Sequence, residues 1–258
     1  MSAALLAQLP LHATAFLLLF ARVGAVLMLL PVFSEEGVPG QVRLLLALAM
    51  TLALFGLLSG HVLPHAGDDQ ALLGLLLGEL LIGLSIGMLV KLFFQAIAMA
   101  GSLVSMQVGL SSALLFDPGL GGQVPVLAKL CSLAAVLVCL GLGIHHLWIA
   151  AIVRSYTVFP VGAVPNLGDL AQLAVAASGK ALALAVSLAG PFLVYGLLFN
   201  LALGFSARLA PTIQVFFIAQ PLNLLLGLAL FATTLGAMLT IFGDQFASWL
   251  QHGWAHVG

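Results

Sequence analysis

Charged side chains are scarce in this sequence of 258 residues, which holds seven Lys and Arg and eight Asp and Glu. They make up 6% of the chain, whereas a typical soluble domain carries about 25%. So few charges cannot cover a surface that faces water, which excludes an ordinary soluble fold. The net charge of −1 also gives no electrostatic basis for binding nucleic acid.

Cysteines and catalytic motifs are equally sparse. Cys131 and Cys139 lie eight positions apart in one apolar run, about 12 Å along a helix, which is too far for a disulfide. We find no Walker A, dinucleotide-binding, GxSxG or HExxH pattern, so an enzyme is not expected. His145 and His146 have no nearby Cys, Asp or Glu to complete a metal site. We therefore expect no metal and no cofactor, and hydrogen bonding at a helix end for the two histidines.

Long apolar runs dominate what is present. Apolar residues make up 63% of the chain, and the mean hydropathy is +1.25. A helix that spans a membrane needs about 20 mostly apolar residues. The sequence therefore predicts an all-α integral membrane protein. We count six hydrophobic blocks, at 13–33, 42–64, 71–105, 124–153, 171–205 and 212–243.

Three further features of the sequence bear on how the chain crosses the membrane. Block 171–205 contains Gly190-Pro191, which is compatible with a kinked helix or a helical hairpin. The tail 244–258 carries Trp249 and Trp254 at helical spacing, which predicts an interfacial helix. The few basic residues favour both termini outside the cytoplasm.

Glycines and charges within block 71–105 indicate contact with other helices. Gly74 and Gly78 form one small-xxx-small pair and Gly83 and Gly87 another, on opposite faces because nine residues turn a helix by 180°. The alternative is that glycine is simply common in membrane helices.

Several charged residues lie inside predicted spans, where charge is costly and usually faces protein or water, and three of them indicate buried partners. Glu79 and Lys91 are 120° apart around their helix, so we expect their partners elsewhere in the protein or on another chain. Arg22, with apolar neighbours on both sides, is expected to point into a protein interface. Snorkelling of Arg22 and Lys91 towards the membrane surface is the alternative.

The glycine-rich segment 106–123 interrupts the apolar pattern. Its glycines and its Asp117-Pro118-Gly119 turn argue against one regular helix, yet Ala113 to Phe116 is apolar. Irregular backbone at membrane depth is tolerated inside protein or beside a water-filled cavity. The residues alone allow either a re-entrant element that lines a passage or a tucked surface loop.

Taken together, the order and spacing of several short fragments resemble the FliR family of type III secretion export-gate proteins over nearly the whole chain. The fragments are Phe20-Ala21-Arg22-Val23-Gly24, Pro31-Val32-Phe33, Val38-Pro39, Val42-Arg43, Gly78 to Gly83, Gln107-Val108-Gly109-Leu110-Ser111, Phe116-Asp117-Pro118, His145-His146, Ser155-Tyr156, Pro160-Val161-Gly162, Arg208-Leu209-Ala210-Pro211, Phe216-Phe217-Ile218 and Pro221-Leu222.

The resemblance implies an export-gate subunit of the flagellar basal body in the bacterial inner membrane, built of bent helical hairpins within a hetero-oligomeric complex. Its implied partners are FliP-like, FliQ-like, FlhB-like and FlhA-like proteins, unfolded flagellar proteins in transit, and membrane lipid. It also implies a single domain in which residues 1–165 are FliP-like and residues 166–258 are FliQ-like.

Two sets of site residues accompany this interpretation. The channel plug would comprise Met106, Gln107, Gly109, Ser111, Ser112, Leu114, Leu115, Phe116, Asp117, Pro118, Gly119, Gly121 and Gly122. Subunit packing or buried charge would involve Arg22, Gly74, Gly78, Glu79, Gly83, Gly87, Lys91, Arg208 and Pro211.

The rival functions are an injectisome subunit, a small-solute secondary transporter, an intramembrane enzyme and a membrane scaffold without a channel. The transporter would predict inverted internal repeats, and we find none by inspection.

Overall fold

A computed structural model describes residues 3–31, 38–67, 71–110, 125–163, 167–209 and 214–252, and in these ranges the regular structure is helical throughout. A 3-10 turn, Leu63–His65, follows the second helix. The α-helices are α1 (Ala3–Leu29), α2 (Gly40–Val62), α3 (Leu72–Val108), α4 (Val126–Gly141), α5 (Ile144–Val158), α6 (Leu167–Leu209) and α7 (Val215–His252).

Two of the helices begin directly after a proline. Pro39 and Pro125 precede α2 and α4 and have extended backbone with φ of −57° and −50°. Proline suits a helix start because its fixed φ is compatible with a helix and its missing N–H would have had no intrahelical partner. In the described residues, helix is found in each of the six apolar blocks, as predicted.

Five helices of the described chain are long and apolar enough to cross a membrane. Block 124–153 differs from the prediction, since α4 and α5 are separate helices with a sharp bend between them. The bend lies at Leu142-Gly143, where Gly143 has a φ of +73° that L-residues with a side chain rarely adopt. Counting this bent pair as one broken span gives six.

The structure narrows two expectations about the second half. Block 171–205 lies within one continuous helix that contains Pro191, so of the two alternatives the hairpin is excluded. The tail is helical as far as His252, as the last turns of α7 and not as a separate helix, and its place at a membrane interface stays a prediction. An apolar run of this length keeps its backbone hydrogen-bonded as a helix, and one proline removes only one ladder bond.

The chain divides into two compact units, each formed from several stretches of sequence. Unit 1 contains Met1–Phe93, His145–Ser178 and Ser248–Gly258, and unit 2 contains Phe94–Ile144 and Gly179–Ala247. Each unit draws on both of the predicted regions, residues 1–165 and residues 166–258. The prediction that residues 1–165 are FliP-like and residues 166–258 are FliQ-like stays a prediction.

Unit 1 has a core in which α1, α2 and α5 meet. Ala15, Leu18 and Leu19 of α1 cluster with Leu58 and Val62 of α2, and Tyr156 of α5 joins them. These side chains are almost completely buried. Their burial keeps three helices together around the charged residues described below.

Unit 2 has an aromatic core and one very close helix contact. Phe94 of α3 makes edge-to-face contacts with Phe242 and Phe246 of α7, at ring-centroid distances of 5.2 and 5.7 Å. A Cβ atom at Gly101 of α3 would lie 2.6 Å from the Cα of Ala128 on α4. Only glycine allows these two backbones to approach so closely.

Candidate functional site

A buried ion pair joins α1 to α3 inside unit 1. The Nε of Arg22 donates to Oε2 of Glu79 at 2.6 Å, and its Nη2 donates to Oε1 at 2.7 Å. The two side chains are 0% and 1% exposed. Two parallel N–H···O bonds are the strongest geometry that an arginine and a carboxylate can form, and they make the pair electrically neutral where water is absent.

The third nitrogen of Arg22 binds the end of α5. Its Nη1 donates to the carbonyl oxygens of Ser155 and Phe159 at 3.1 and 3.0 Å. The Ser155 carbonyl also accepts from the N–H of Phe159 at 2.8 Å, and carbonyls at a helix end carry partial negative charge, so a guanidinium there is favourable. The Tyr156 ring covers the guanidinium, with 4.0 Å between its centroid and Cζ. One arginine thus connects three helices.

The buried charges therefore find their partners within this chain. The partner of Glu79 lies 57 positions away in the sequence, and Arg22 faces protein instead of snorkelling. Sequence reasoning did not pair them, and it gave no role to Ser155 or Phe159. The only signal was the cost of a charge in an apolar segment, which requires a partner without naming it.

The second glycine pair makes the ion pair possible. A Cβ atom at Gly83 would lie 2.6 Å from the carbonyl oxygen of Arg22, and one at Gly87 would lie 2.8 Å from the Cβ of Leu29. These distances place α3 directly on the backbone of α1. Glu79, one helical turn before Gly83, is thereby brought within reach of Arg22.

The first glycine pair faces open space within the described chain. A Cβ atom at Gly74 or Gly78 would meet no atom of the described residues within 4 Å. The two pairs therefore have different surroundings, and contact of Gly74 and Gly78 with another subunit stays a prediction.

Substituting one glycine from each pair distinguishes these surroundings. We expect Gly83→Ala to lower the thermal stability of this chain purified in detergent without other subunits, because overpacking a close contact costs about 1–3 kcal/mol. Gly78→Ala, the matched control on the same helix, should leave the stability of this chain unchanged or raised. Equal melting temperatures for Gly83→Ala and the unsubstituted chain would contradict the close packing of α1 and α3.

Three predicted packing residues remain, and two of them lie in the described part of the chain. Lys91 of α3 and Arg208 of α6 are exposed, and Pro211 lies outside the described residues. Within unit 1, the structure does not pair Lys91 with Glu79, whose partner is Arg22. Contact of Lys91 and Arg208 with other subunits stays a prediction.

The predicted plug begins at the end of α3. Met106 and Gln107 belong to the last turn of α3, and Gly109 follows it with a φ of +87°. A glycine of positive φ just after the last helical residue is the usual way to end a helix. Ser111, Ser112, Leu114, Leu115, Phe116, Asp117, Pro118, Gly119, Gly121 and Gly122 lie outside the described residues.

Polar residues of α6 and α7 meet the end of α3 in unit 2. The hydroxyl of Tyr195 on α6 donates to Oδ1 of Asn223 on α7 at 2.7 Å. The Nδ2 of Asn223 donates to the Gln107 carbonyl oxygen at 3.3 Å. Sequence reasoning missed both residues. The available signal was the same as for Arg22, since a polar side chain within an apolar run needs a partner.

The histidine pair does not form a metal centre in the described chain, where no group of three His, Cys, Asp or Glu residues converges. The rings of His145 and His146 lie 4.1 Å apart. The expected hydrogen bond is not found for Nδ1 of His145, which is buried without a partner among the described residues. Gly143, two positions before His145, has a positive φ and lies in the turn that precedes α5.

Comparison with known proteins finds relatives over most of this sequence. Residues 13–249 match the model of the family described as "Bacterial export proteins, family 1". The flagellar biosynthetic protein FliR of Caulobacter vibrioides is 38% identical over 234 residues, which cover 91% of this chain and 93% of that protein. FliR of Escherichia coli is 35% identical over 213 residues, covering 82% and 80% respectively.

A virulence-secretion protein is also related. Yop proteins translocation protein T of Yersinia pestis is 30% identical over 211 residues, which cover 81% of this chain and 80% of that protein. The two flagellar proteins are more similar, and the matches extend over nearly all of the described helices. The chain therefore belongs to family 1 of the bacterial export proteins, as a FliR-type membrane component of flagellar type III protein export.

Proposed function

We propose that this chain helps to form and seal the inner-membrane channel through which unfolded flagellar proteins are exported. The observation that carries the proposal is the abrupt end of α3 at Gly109, directly before a glycine-rich, partly apolar segment. A 37-residue apolar helix that ends in such a segment is suited to deliver it to a passage between subunits. Apolar constrictions oppose the passage of ions because water leaves them readily.

The plug in this proposal is residues 106–123. Weak apolar contacts from Ala113 to Phe116 hold it in place, and Gly109, Gly119, Gly121 and Gly122 allow it to move. An exported chain displaces it, and the seal limits ion leakage while no chain passes. The proposed role is to open and close a passage, so no catalytic step is assigned to this protein.

The proposed partners are FliP-like and FliQ-like subunits in direct contact, with FlhB-like and FlhA-like proteins joining them. Support comes from the apolar surface that this chain leaves uncovered on α6 and α7. Leu197, Leu201 and Phe205 of α6 and Leu222 and Leu225 of α7 are each more than half exposed. Such a surface has to face lipid or other subunits.

Co-purification tests this assignment of partners. We expect a tagged copy of the chain, extracted from inner membranes in mild detergent, to bring FliP-like and FliQ-like subunits in fixed ratio. A mixed sample of separately extracted membranes serves as the control for association after lysis. A chain that purifies alone and supports solute uptake in vesicles would instead identify a secondary transporter.

A further inference from the structure

The last turn of α3 leaves carbonyl groups that need partners from elsewhere in the protein. The final four carbonyls of a helix have no intrahelical partner. Gly109 N–H satisfies the Met106 carbonyl at 3.3 Å. The next carbonyl, that of Gln107, is bound by the side chain of Asn223, which comes from α7.

The Gln107 carbonyl, which can only accept, determines which end of the Asn223 amide faces α3, and Tyr195 holds the other end. The Tyr195 hydroxyl lies 2.7 Å from Oδ1 of Asn223 and 3.0 Å from the Asn223 carbonyl oxygen. With the NH₂ group of Asn223 donating to the Gln107 carbonyl, Oδ1 faces the Tyr195 hydroxyl, which donates to it. Asn223 is 8% exposed, so this pair of hydrogen bonds is shielded from solvent.

Two glycines let α6 and α7 approach α3 at this point. A Cβ atom at Gly227 of α7 would lie 2.7 and 2.8 Å from the two methyl groups of Val108. A Cβ atom at Gly196 of α6 would overlap the side-chain amide of Gln107. Gly196 follows Tyr195 directly, and Gly227 lies one turn after Asn223, so close packing and hydrogen bonding act on the same turn of α3.

We infer that Tyr195 and Asn223 are positioning residues that hold the end of α3 where the channel is sealed. The inference rests on the proposed function, because segment 106–123 begins at this turn. Asn223 binds the Gln107 carbonyl and Tyr195 binds Asn223, so side chains of α6 and α7 hold the last turn of α3, where the segment begins. Loss of either side-chain group lets the last turn fray and lowers the fraction of sealed channels.

The test uses Tyr195→Phe and Asn223→Ala in the complete export apparatus in cells. We expect each to raise small-ion leakage per assembled complex about fivefold, the shift that follows when one net hydrogen bond to the sealed state is lost. The double variant should leak no more than Asn223→Ala, since Tyr195 acts through Asn223. If Asn223→Ala does not assemble, Tyr195→Phe carries the test, because it removes a single oxygen atom.

Two matched controls lie on the same helices. Asn200→Ala removes an exposed amide of α6 that donates to the Gly196 carbonyl of its own helix. Thr233→Val removes an exposed hydroxyl of α7 that donates to carbonyls of Ala229 and Leu230. Both should leave leakage at the level of the unsubstituted chain. Leakage in the controls equal to that of the test variants would overturn the inference.

Deleting residues 111–116 shows whether the positioning role of Tyr195 and Asn223 fails by itself or together with the proposed seal. If the deletion leaks and adding Asn223→Ala raises the leakage no further, Asn223 acts through the seal, as inferred. If the deletion leaks but Tyr195→Phe and Asn223→Ala do not, the seal stands and the positioning role is overturned. If an assembled deletion complex does not leak, the proposed seal and the inference fail together.

Discussion

Replacing Arg22 with methionine is expected to prevent accumulation of the assembled export complex and to abolish motility. The substitution leaves the Glu79 carboxylate buried without its positive partner, and it removes the donor to the carbonyls of Ser155 and Phe159. Removing one member of a buried ion pair costs about 3–5 kcal/mol. That loss is a large share of the roughly 5–15 kcal/mol by which native proteins are stable. Immunoblotting of the complex on native gels measures the result.

Arg154→Met provides the matched control for this experiment. Arg154 is an exposed arginine on α5, directly before Ser155, and it makes a long hydrogen bond of 3.5 Å to the Gln251 carbonyl. We expect its replacement to leave complex levels near normal. Arg22→Met at normal levels would contradict a structural role for the ion pair.

The double variant Arg22→Met/Glu79→Met isolates the contribution of the charge. Replacing both members of a buried pair with apolar residues of similar volume is often tolerated, because no unpaired charge remains. We expect the double variant to accumulate to higher levels than either single variant, yet below the unsubstituted chain, since the Phe159 carbonyl has lost the Arg22 donor and the Ser155 carbonyl keeps only the Phe159 N–H. A double variant no better than Arg22→Met would show that lost packing, not unpaired charge, causes the defect.

Deleting residues 111–116 is expected to cause the largest ion leakage of any variant, with the complex still assembled. The deletion removes Leu114, Leu115 and Phe116, the apolar portion of the proposed plug. Burial of each such side chain contributes about 1.5–3 kcal/mol, so their joint loss removes most of what holds the seal closed. Leakage is measured as small-ion influx into cells that express the complete apparatus.

Two further variants make the deletion interpretable. Replacing Leu114, Leu115 and Phe116 together with serine keeps the length of the segment and should also leak, because the apolar contacts are lost. Removing residues 253–258, a deletion of the same length at the end of the chain, should not. Unchanged leakage in the first deletion, with normal complex levels, would exclude residues 111–116 as the seal.

The helices could be predicted from the sequence because each depends on local properties. An apolar run of about 20 residues has to be helical in a membrane, and proline and glycine mark where it begins or ends. This reasoning located α1, α2 and α3 well. It failed at Gly143, where one positive φ divides a run that hydropathy treats as continuous, and at α7, which continues through the tryptophan-containing tail as far as His252.

The partners of polar residues could not be predicted in the same way. Helical rotation showed that Glu79 and Lys91 face differently, but rotation within one helix cannot identify a residue on another. The pairing with Arg22 depends on how closely α3 approaches α1, which Gly83 and Gly87 permit. Tyr195 and Asn223 were overlooked for the same reason, since their roles appear only where α6 and α7 meet the end of α3.

The sequence by itself determined that this is a helical membrane protein of the bacterial export family, because composition, apolar length and motif order are carried by residues in sequence. It also showed that Arg22 and Glu79 each required a partner, because an unpaired charge is too costly in an apolar segment. Only the tertiary structure decided that they pair with each other, that Arg22 also binds the end of α5, and that Asn223 binds the end of α3. Those contacts join residues far apart in sequence, and they form only when packing brings separate helices within hydrogen-bonding distance.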